Sequence, residues 1–475
     1  MANRIAKNFA YNLALTLSGY IINLAIFPYV TRVLGVDMIG RTAFATNTVS
    51  YFSLFAVLGV ATVGIREISA CGDDREKRSR VFSSILGLIS LATLVVAAVF
   101  LVCIFTVPRF EADKELLVIG TASLLFTSLL IEWFYQGIED FRYVTLRTVA
   151  VKIVYAVMIF LLVRRPEDYL TYFALTVAVV VVNAVINLVH SGKYVDFRLS
   201  YVEPGRFAGP IFFLGLYCIM TSMYTTFNVV FLGFAQPESE VGFYYTATKI
   251  YYILLGVLSA FTTVMLPRMS AILSERKTEE FKEKLGMSFD IVFAFAFPLI
   301  AGGVVLAPQL VRILSGPGYE GAVLPMRIVM PVILVTGCAQ VWVTQALMPL
   351  RKDKVLLLAA IAGALVGVLS NIIFVPGMGA AGSALAVLLA EVCANSISLT
   401  YALRTGILEF PVKRFLVSLV LSVPYFIICI ACSALMPSFV TSTLVSVAAC
   451  LVYFILIHRF VLKDGSIGKL LVKWL

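Results

Sequence analysis

The 475-residue chain is too apolar to fold as a water-soluble globule, since hydrophobic residues make up 61% of it and charged residues only 13%. Its mean hydropathy is +0.98, which is typical of a polytopic membrane protein. Long continuous apolar runs exclude the short alternating strands of a membrane barrel. At roughly 20 residues for each membrane helix, the runs predict an all-α integral membrane protein with about fourteen transmembrane helices.

The first apolar run follows two basic residues, Arg4 and Lys7. It is too long for the apolar core of a cleavable signal peptide and has no small-residue cleavage site. We therefore expect the first helix to serve as its own insertion signal.

The net charge of +10 would suggest nucleic acid as a partner of a soluble protein. Here the positive charge alternates between the predicted loops. With both termini inside, the inner segments hold 27 of the 37 basic residues, the outer segments hold 7, and three lie within helices. Because basic loops stay in the cytoplasm, the pattern predicts a multi-pass membrane protein with both termini cytoplasmic. No nucleic-acid partner is predicted.

Charged residues inside predicted spans are candidate functional residues, because an unpaired charge is costly in the bilayer. Three cations, Lys152, Lys249 and Arg327, lie within helices. They could bind the phosphates of an anionic substrate, or they could be structural cations that extend toward the interface. Arg32 and Arg41 flank the first predicted outer loop; Arg32 is a further binding candidate, with a rim or orientation role as the alternative for both.

Two acids are candidates for gating or ion coupling. Glu132 is predicted about one turn inside the cytoplasmic end of the apolar run 116–137, and Lys152 on the next predicted helix is its expected partner. The pair could be structural or could form a gate at the cytoplasmic mouth. Glu391 is the deepest acid; it could pair with Arg327 or Lys249, or it could bind a proton or cation whose occupancy alters lobe closure.

The chain contains an internal repeat. Trp133, Gln136 and Arg142 recur at an offset of 209 as Trp342, Gln345 and Arg351, and two earlier segments of each half also match. Six helices separate equivalent points, so the halves should have the same orientation. This predicts two six-helix lobes around a central cavity, an arrangement typical of transporters. The expected domains are an N-lobe (1–205), a C-lobe (206–405), and two extra helices with a cytoplasmic tail (406–475).

Seven of the eight cysteines fall in predicted spans, and they show no metal-ligand spacing. We interpret them as small packing residues. No metal and no cofactor is predicted, and coupling to H⁺ or Na⁺ stays open.

Three segments carry a family resemblance: NFAYNLALTLSGYIINLAIFPYVTRVLGVDMIG near the N-terminus, EWFYQGIEDFRYVTLRT, and LPRMS. They resemble the polysaccharide transporter family, the Wzx-type flippases of O-antigen and capsule synthesis, whose superfamily also contains multidrug extruders and lipid II flippases. The resemblance implies a transporter that moves a polyprenyl-pyrophosphate-linked oligosaccharide from the cytoplasmic to the outer leaflet. The implied partners are that lipid-linked oligosaccharide, membrane lipid and possible polymerase or assembly machinery.

Two other functions compete with this interpretation. A multidrug or cation-coupled extruder would share the two-lobe fold, although it usually has twelve helices. A polysaccharide polymerase or glycosyltransferase needs a sizeable outer loop or paired carboxylates near one interface, and neither is predicted here.

The two helices beyond the repeat carry no charged residue from Phe415 to Ile457. They cannot line a hydrated path. The lipid II flippases that the chain resembles have a comparable pair, which forms a groove. We therefore expect these helices to hold the polyprenyl tail, with packing in an oligomer as the alternative.

Overall fold

A computed structural model describes residues 2–203, 205–275 and 277–462, and all regular structure in these ranges is helical. The chain forms two compact units, Met1–Gly242 and Phe243–Leu475. This confirms the predicted all-helical class. The predicted division at residues 206 and 406 stays a prediction.

Ten helices lie in the first unit, and an eleventh begins there and continues into the second. They are α1 (Ala2–Val57), α2 (Val60–Ser69), α3 (Arg75–Thr106), α4 (Pro108–Glu111), α5 (Lys114–Thr127), α6 (Glu132–Gly137), α7 (Phe141–Leu162), α8 (Tyr169–Ser191), α9 (Gly205–Ser222), α10 (Phe227–Ala235) and α11 (Glu238–Ser274). Three 3₁₀ turns connect them, at Ser128–Leu130, Pro166–Asp168 and Leu199–Tyr201.

The second unit continues with α12 (Thr278–Val305), α13 (Ala307–Ser315), α14 (Val323–Val329), α15 (Val332–Ala339), α16 (Asp353–Arg404), α17 (Val412–Leu435) and α18 (Phe439–Leu456). A 3₁₀ turn covers Glu320–Ala322, and π-helical segments cover Gln340–Leu347 and Ile457–Val461.

Two of the helices are too long to be single membrane spans. At 1.5 Å per residue the 56 residues of α1 would extend about 84 Å, against a bilayer core of about 30 Å. Each long helix is interrupted by a glycine outside the helical conformation: Gly35 in α1 (φ 76°) and Gly379 in α16 (φ 53°). Only glycine adopts such angles without strain, so each helix consists of two straight segments. Arg32 and Arg41 consequently lie in helical segments on either side of Gly35, where the sequence predicted a loop.

By length and apolar composition, ten helices of the described residues could cross a membrane. The bent pair α9 and α10, which meet at 48°, could supply one more. A multi-pass membrane protein is confirmed, and the count of fourteen stays a prediction.

The short helix α6 is held in place by close packing in the first unit. A methyl group at Gly64 of α2 would lie 2.4 Å from Trp133 Cε3, so only glycine allows this approach. Phe82 of α3 contacts Trp133 and Phe134 from the other side, with ring centroids 5.9 and 5.1 Å apart. These contacts fix the direction in which α6 presents its first residue, Glu132.

Helix α17 lies along α12 in the second unit, and α18 packs against α17 and α13. An ion pair of 3.1 Å joins Arg414 at the start of α17 to Asp290 of α12. Many apolar side chains of the two helices are exposed, among them Val420 and Leu444. The pair therefore presents an uncharged apolar surface.

Candidate functional site

A break in the span Lys114–Gly137 lies beside a group of buried polar side chains in the first unit. Ile131 separates the 3₁₀ turn from α6 and has a left-handed conformation (φ 38°, ψ 32°). Such angles are strained for a β-branched residue. The side-chain amide of Asn187 donates to the Leu130 carbonyl and so satisfies backbone that the break exposes.

Arg147 of α7 is the cation of this region. It is six residues beyond Phe141, about 9 Å into the helix, and only 5% of its side chain is exposed. Its guanidinium donates to Asn183 Oδ1 at 2.9 Å and to Glu132 Oε1 at 3.2 Å. The buried Nε has no hydrogen-bond partner.

The predicted partner of Glu132 was therefore wrong: the carboxylate pairs with Arg147, not with Lys152. The sequence interpretation treated Arg147 as an inner-loop cation because it stands near the start of its predicted helix. In the structure the Arg147 guanidinium is buried inside the helix bundle and forms the ion pair with Glu132 that was expected of Lys152. The Glu132 carboxylate is 43% exposed, so an accessible acid lies against a buried cation.

Tyrosines and a histidine extend this region toward the end of α8. The Tyr143 ring stacks on His190, with centroids 3.8 Å apart and planes at 7°, and its hydroxyl donates to Asn187 Oδ1 at 3.2 Å. Tyr135 donates to the Asn187 carbonyl. We call Glu132, Tyr143, Arg147, Asn183, Asn187 and His190 the polar cluster.

The other predicted cations have individual surroundings. Lys152 is half-buried on α7, and its Nζ lies close to Gly19 of α1. Lys249 is half-buried on α11, with Nζ 5.4 Å from the Tyr245 ring centroid and 3.4 Å from the Tyr245 hydroxyl. Arg327 is exposed on α14 and donates to the Val304 carbonyl at 3.1 Å. Exposed Arg32 donates to the Pro28 carbonyl at 2.7 Å.

Glu391 is half-buried on α16 and accepts a 2.8 Å hydrogen bond from the Asn395 side chain. Neither Arg327 nor Lys249 pairs with it in the described part of the chain. A carboxylate that accepts from a neutral amide keeps the capacity to bind a proton or a cation. The described residues contain no group of three or more potential metal ligands.

A second ionic region lies at the opposite end of the span Lys114–Gly137. The carboxylate of Asp113 is fully buried and accepts from Arg41 at 2.6 Å and from Arg109 at 3.1 Å. Arg109 also pairs with Glu238 at 3.2 Å and donates to the Gly233 carbonyl at 2.6 Å. This region connects α1, α4 and the first turn of α11, and its carboxylates satisfy its cations, which indicates a structural role.

Comparison with known proteins decides the family. The family described as "Polysaccharide biosynthesis protein" matches residues 5–273, more than half of the chain. The chain belongs to this family. The chain is 24% identical over 413 residues to a "Putative O-antigen transporter" of Escherichia coli K12, covering 85% of this chain and 98% of that one. A protein of the same name from Shigella dysenteriae is 26% identical over 386 residues, covering 79% and 94%.

Solved structures share its fold. Lipid II flippase MurJ in an inward closed conformation matches with a TM-score of 0.77, covering 95% of this chain and 99% of that one at 16% identity. An inward-facing multidrug resistance MATE family transporter matches with a TM-score of 0.61, covering 83% and 98% at 16% identity. The relatives and neighbours are transporters and flippases, which confirms the predicted superfamily and the assignment as a transporter rather than an enzyme.

Sequence reasoning missed Arg147, Asn183 and Asn187, although a signal was present. Helix α8 is almost entirely apolar, yet it places Asn183, Asn187 and His190 at positions i, i+4 and i+7. These residues lie on one helix face, and a polar face on a membrane helix is directed at another polar group.

Proposed function

We propose that the chain translocates a polyprenyl-pyrophosphate-linked oligosaccharide from the cytoplasmic to the outer leaflet of the bacterial inner membrane by alternating access. The observation that carries the proposal is Arg147, a buried cation beneath an accessible acid in a chain of the polysaccharide biosynthesis family. A charged side chain buried inside a membrane protein is costly even when it is paired, and such residues usually mark a functional site.

The substrate must carry a pyrophosphate and a hydroxyl-rich glycan through a region of low dielectric. Cations and neutral hydrogen-bonding groups lower that barrier, and the polar cluster supplies both. In our proposal the cluster acts at the cytoplasmic end of the path. Pyrophosphate competes with the Glu132 carboxylate for the Arg147 guanidinium, while Asn183 holds the guanidinium in place.

The remaining candidates act further along the path. We assign phosphate binding to Lys249 and Arg327, because their partners among the described residues are a tyrosine and a backbone carbonyl, which do not compensate the positive charge. Lys152 and Arg32 are secondary binding candidates. Glu391, whose side chain accepts from the neutral amide of Asn395, is the candidate for H⁺ or Na⁺ coupling.

The tail of the substrate needs an apolar surface. Helices α17 and α18 offer one, since exposed leucines and valines cover them and no charged residue follows Arg414 within the pair. We propose that the polyprenyl chain lies against these helices while the headgroup crosses.

The test is complementation of a flippase-null strain, scored by the lipid-linked intermediate that accumulates. The wild-type chain should clear the intermediate, and the Arg147→Gln variant should not. Arg142→Gln, an exposed arginine at the start of the same helix, is the matched control and should clear it normally. Failure of the wild-type chain to clear any lipid-linked oligosaccharide, together with efflux of small cationic compounds, would overturn the proposal in favour of a drug extruder.

A further inference from the structure

Serine hydroxyls near the start of α3 form hydrogen bonds with the loop that follows α8. The backbone amides of Asp196 and Arg198 donate to Ser79 Oγ at 3.0 Å and Ser83 Oγ at 3.2 Å. Ser84 Oγ donates to the Tyr201 carbonyl at 2.7 Å and accepts from the Glu203 amide at 3.0 Å. We call residues 192–203 the clasp. Serine side chains of α3 bind three of its backbone amides, and the 3₁₀ turn Leu199–Tyr201 lies within it, so its conformation depends on α3.

Two arginine side chains lie close to one aromatic ring of the clasp. The guanidinium carbons of Arg80 and Arg198 lie 5.2 and 5.4 Å from the centroid of Tyr201. Arg80 pairs with Glu76 at 2.8 Å, whereas Arg198 has no carboxylate partner in the described residues. Two like charges directed at one ring repel each other unless an anion joins them.

The surrounding charge favours an anionic ligand. Residues 75–80 and 192–203 contain six basic and three acidic residues. The acids are Glu76, Asp196 and Glu203; of these, Asp196 pairs with Arg75 at 3.0 Å. Asp73 and Asp74 stand just before the first of these segments, and Asp73 pairs with Arg78 at 4.0 Å, so one excess positive charge remains at this surface.

Exposed apolar side chains lie in the same segment as Arg198. Leu199 is 81% exposed and Phe197 is 50% exposed. Basic residues interleaved with exposed leucine and phenylalanine are typical of segments that lie in the headgroup region of a bilayer.

We propose that the clasp is a binding site for an anionic phospholipid. The guanidinium groups of Arg80 and Arg198 bind the lipid phosphate, while Leu199 and Phe197 contact the first carbons of the acyl chains. Under the proposed orientation the lipid belongs to the cytoplasmic leaflet, but the site itself does not depend on which substrate the chain translocates.

The test is native mass spectrometry of the full chain with phosphatidylglycerol or phosphatidylcholine of identical acyl chains. Wild type should retain phosphatidylglycerol preferentially. Arg80→Gln and Arg198→Gln should each weaken this binding about fivefold, at roughly one phosphate contact per arginine, and should leave phosphatidylcholine binding unchanged. Leu199→Ser should weaken the binding of both lipids. Arg142→Gln, an exposed arginine outside the clasp, should change neither.

Two results would overturn the inference. Equal retention of both lipids, or wild-type phosphatidylglycerol binding by the Arg80→Gln, Arg198→Gln double variant, would show that the arginines do not select lipid charge. A polyprenyl pyrophosphate that binds through Arg198 where phosphatidylglycerol does not would assign the clasp to the substrate instead. Because no step measures translocation, failure here leaves the proposed flippase function standing.

Discussion

The break around Glu132 in the first unit and the segment Gln340–Leu347 in the second are copies of one repeat with different chemistry. Both end in the same cap: Glu139 and Arg351 have positive φ angles of 60° and 54°. In both, the next amide donates five residues back, from Asp140 to Tyr135 at 2.9 Å and from Lys352 to Leu347 at 3.0 Å. This is the pattern of a Schellman motif.

The copies differ in length before the cap. The tryptophans are 209 residues apart (342 minus 133), but the caps are 212 apart (351 minus 139). The second copy thus holds three more residues between tryptophan and cap, and its wider π-helical turns accommodate extra residues. The first copy instead breaks at Ile131.

The polar partners also differ. When the tryptophans are aligned, Glu132 corresponds to Val341 and Arg147 to Leu356. When the caps are aligned, Arg147 corresponds to Ala359. All three apolar residues are buried. The second copy uses neutral hydrogen bonds, from Ser288 to Gln345 at 2.7 Å and from Trp342 to Ser398 at 3.0 Å. The second copy therefore forms the same cap without an ion pair, which supports our proposal that the charges of the first copy serve transport.

Removal of the buried cation should have the largest effect. In Arg147→Gln, Glu132 and Asn183 lose their charged partner; because Glu132 is 43% exposed, the cost should be below the ~3–5 kcal/mol of a fully buried pair. We expect a lower thermal midpoint in detergent and loss of flipping per folded molecule. Arg142→Gln is the control, and wild-type flipping by folded Arg147→Gln would contradict the role of the cluster.

The second unit should contribute its charge from other positions. Lys249→Gln or Arg327→Gln removes a charge-assisted phosphate contact of about 1.5–3 kcal/mol, so flipping in proteoliposomes should fall about 10- to 150-fold. Lys354→Gln, which removes an exposed cation of the same unit, should leave the rate unchanged. If both variants flip at the wild-type rate, the phosphates bind elsewhere.

The neutral network of the second copy should matter for stability alone. Gln345→Leu removes the hydrogen bond from Ser288 to Gln345, while the Ser288 hydroxyl keeps the Lys284 carbonyl as an acceptor at 3.0 Å, so the cost is about 0.5–1.5 kcal/mol. The thermal midpoint should fall while flipping per folded molecule stays at the wild-type level. Loss of flipping in a fully folded Gln345→Leu protein would give the second copy a transport role that our comparison denies.

The two tryptophans should respond differently to the same change. Trp342→Phe removes a hydrogen bond to Ser398, worth about 0.5–1.5 kcal/mol. The buried Nε1 of Trp133 has no partner, so Trp133→Phe should lose only packing. Thermal unfolding of both variants measures the difference, and a greater loss for Trp133→Phe would contradict these contacts.

Apolar runs were sufficient to predict an all-helical membrane protein, because burial in lipid dictates composition. The superfamily was predicted from the resemblance of three sequence segments. Matching tryptophans revealed the repeat. The partner of Glu132 could not be predicted from order along the chain, because the left-handed Ile131 turns the acid toward Arg147. Likewise, the position of Arg147 in the sequence suggested a loop cation, because Asn183 of α8, which accepts its hydrogen bond, is 36 residues away.

The double variant Glu132→Val, Arg147→Leu tests the central claim most directly, because it gives the first copy the apolar residues of the second. Replacing a buried ion pair by apolar residues is often neutral or stabilising, so the variant should unfold at or near the wild-type temperature. We predict that this folded protein fails to clear the lipid-linked intermediate and does not flip substrate in proteoliposomes. A folded double variant that flips at the wild-type rate would show that the ion pair is structural and would contradict the account.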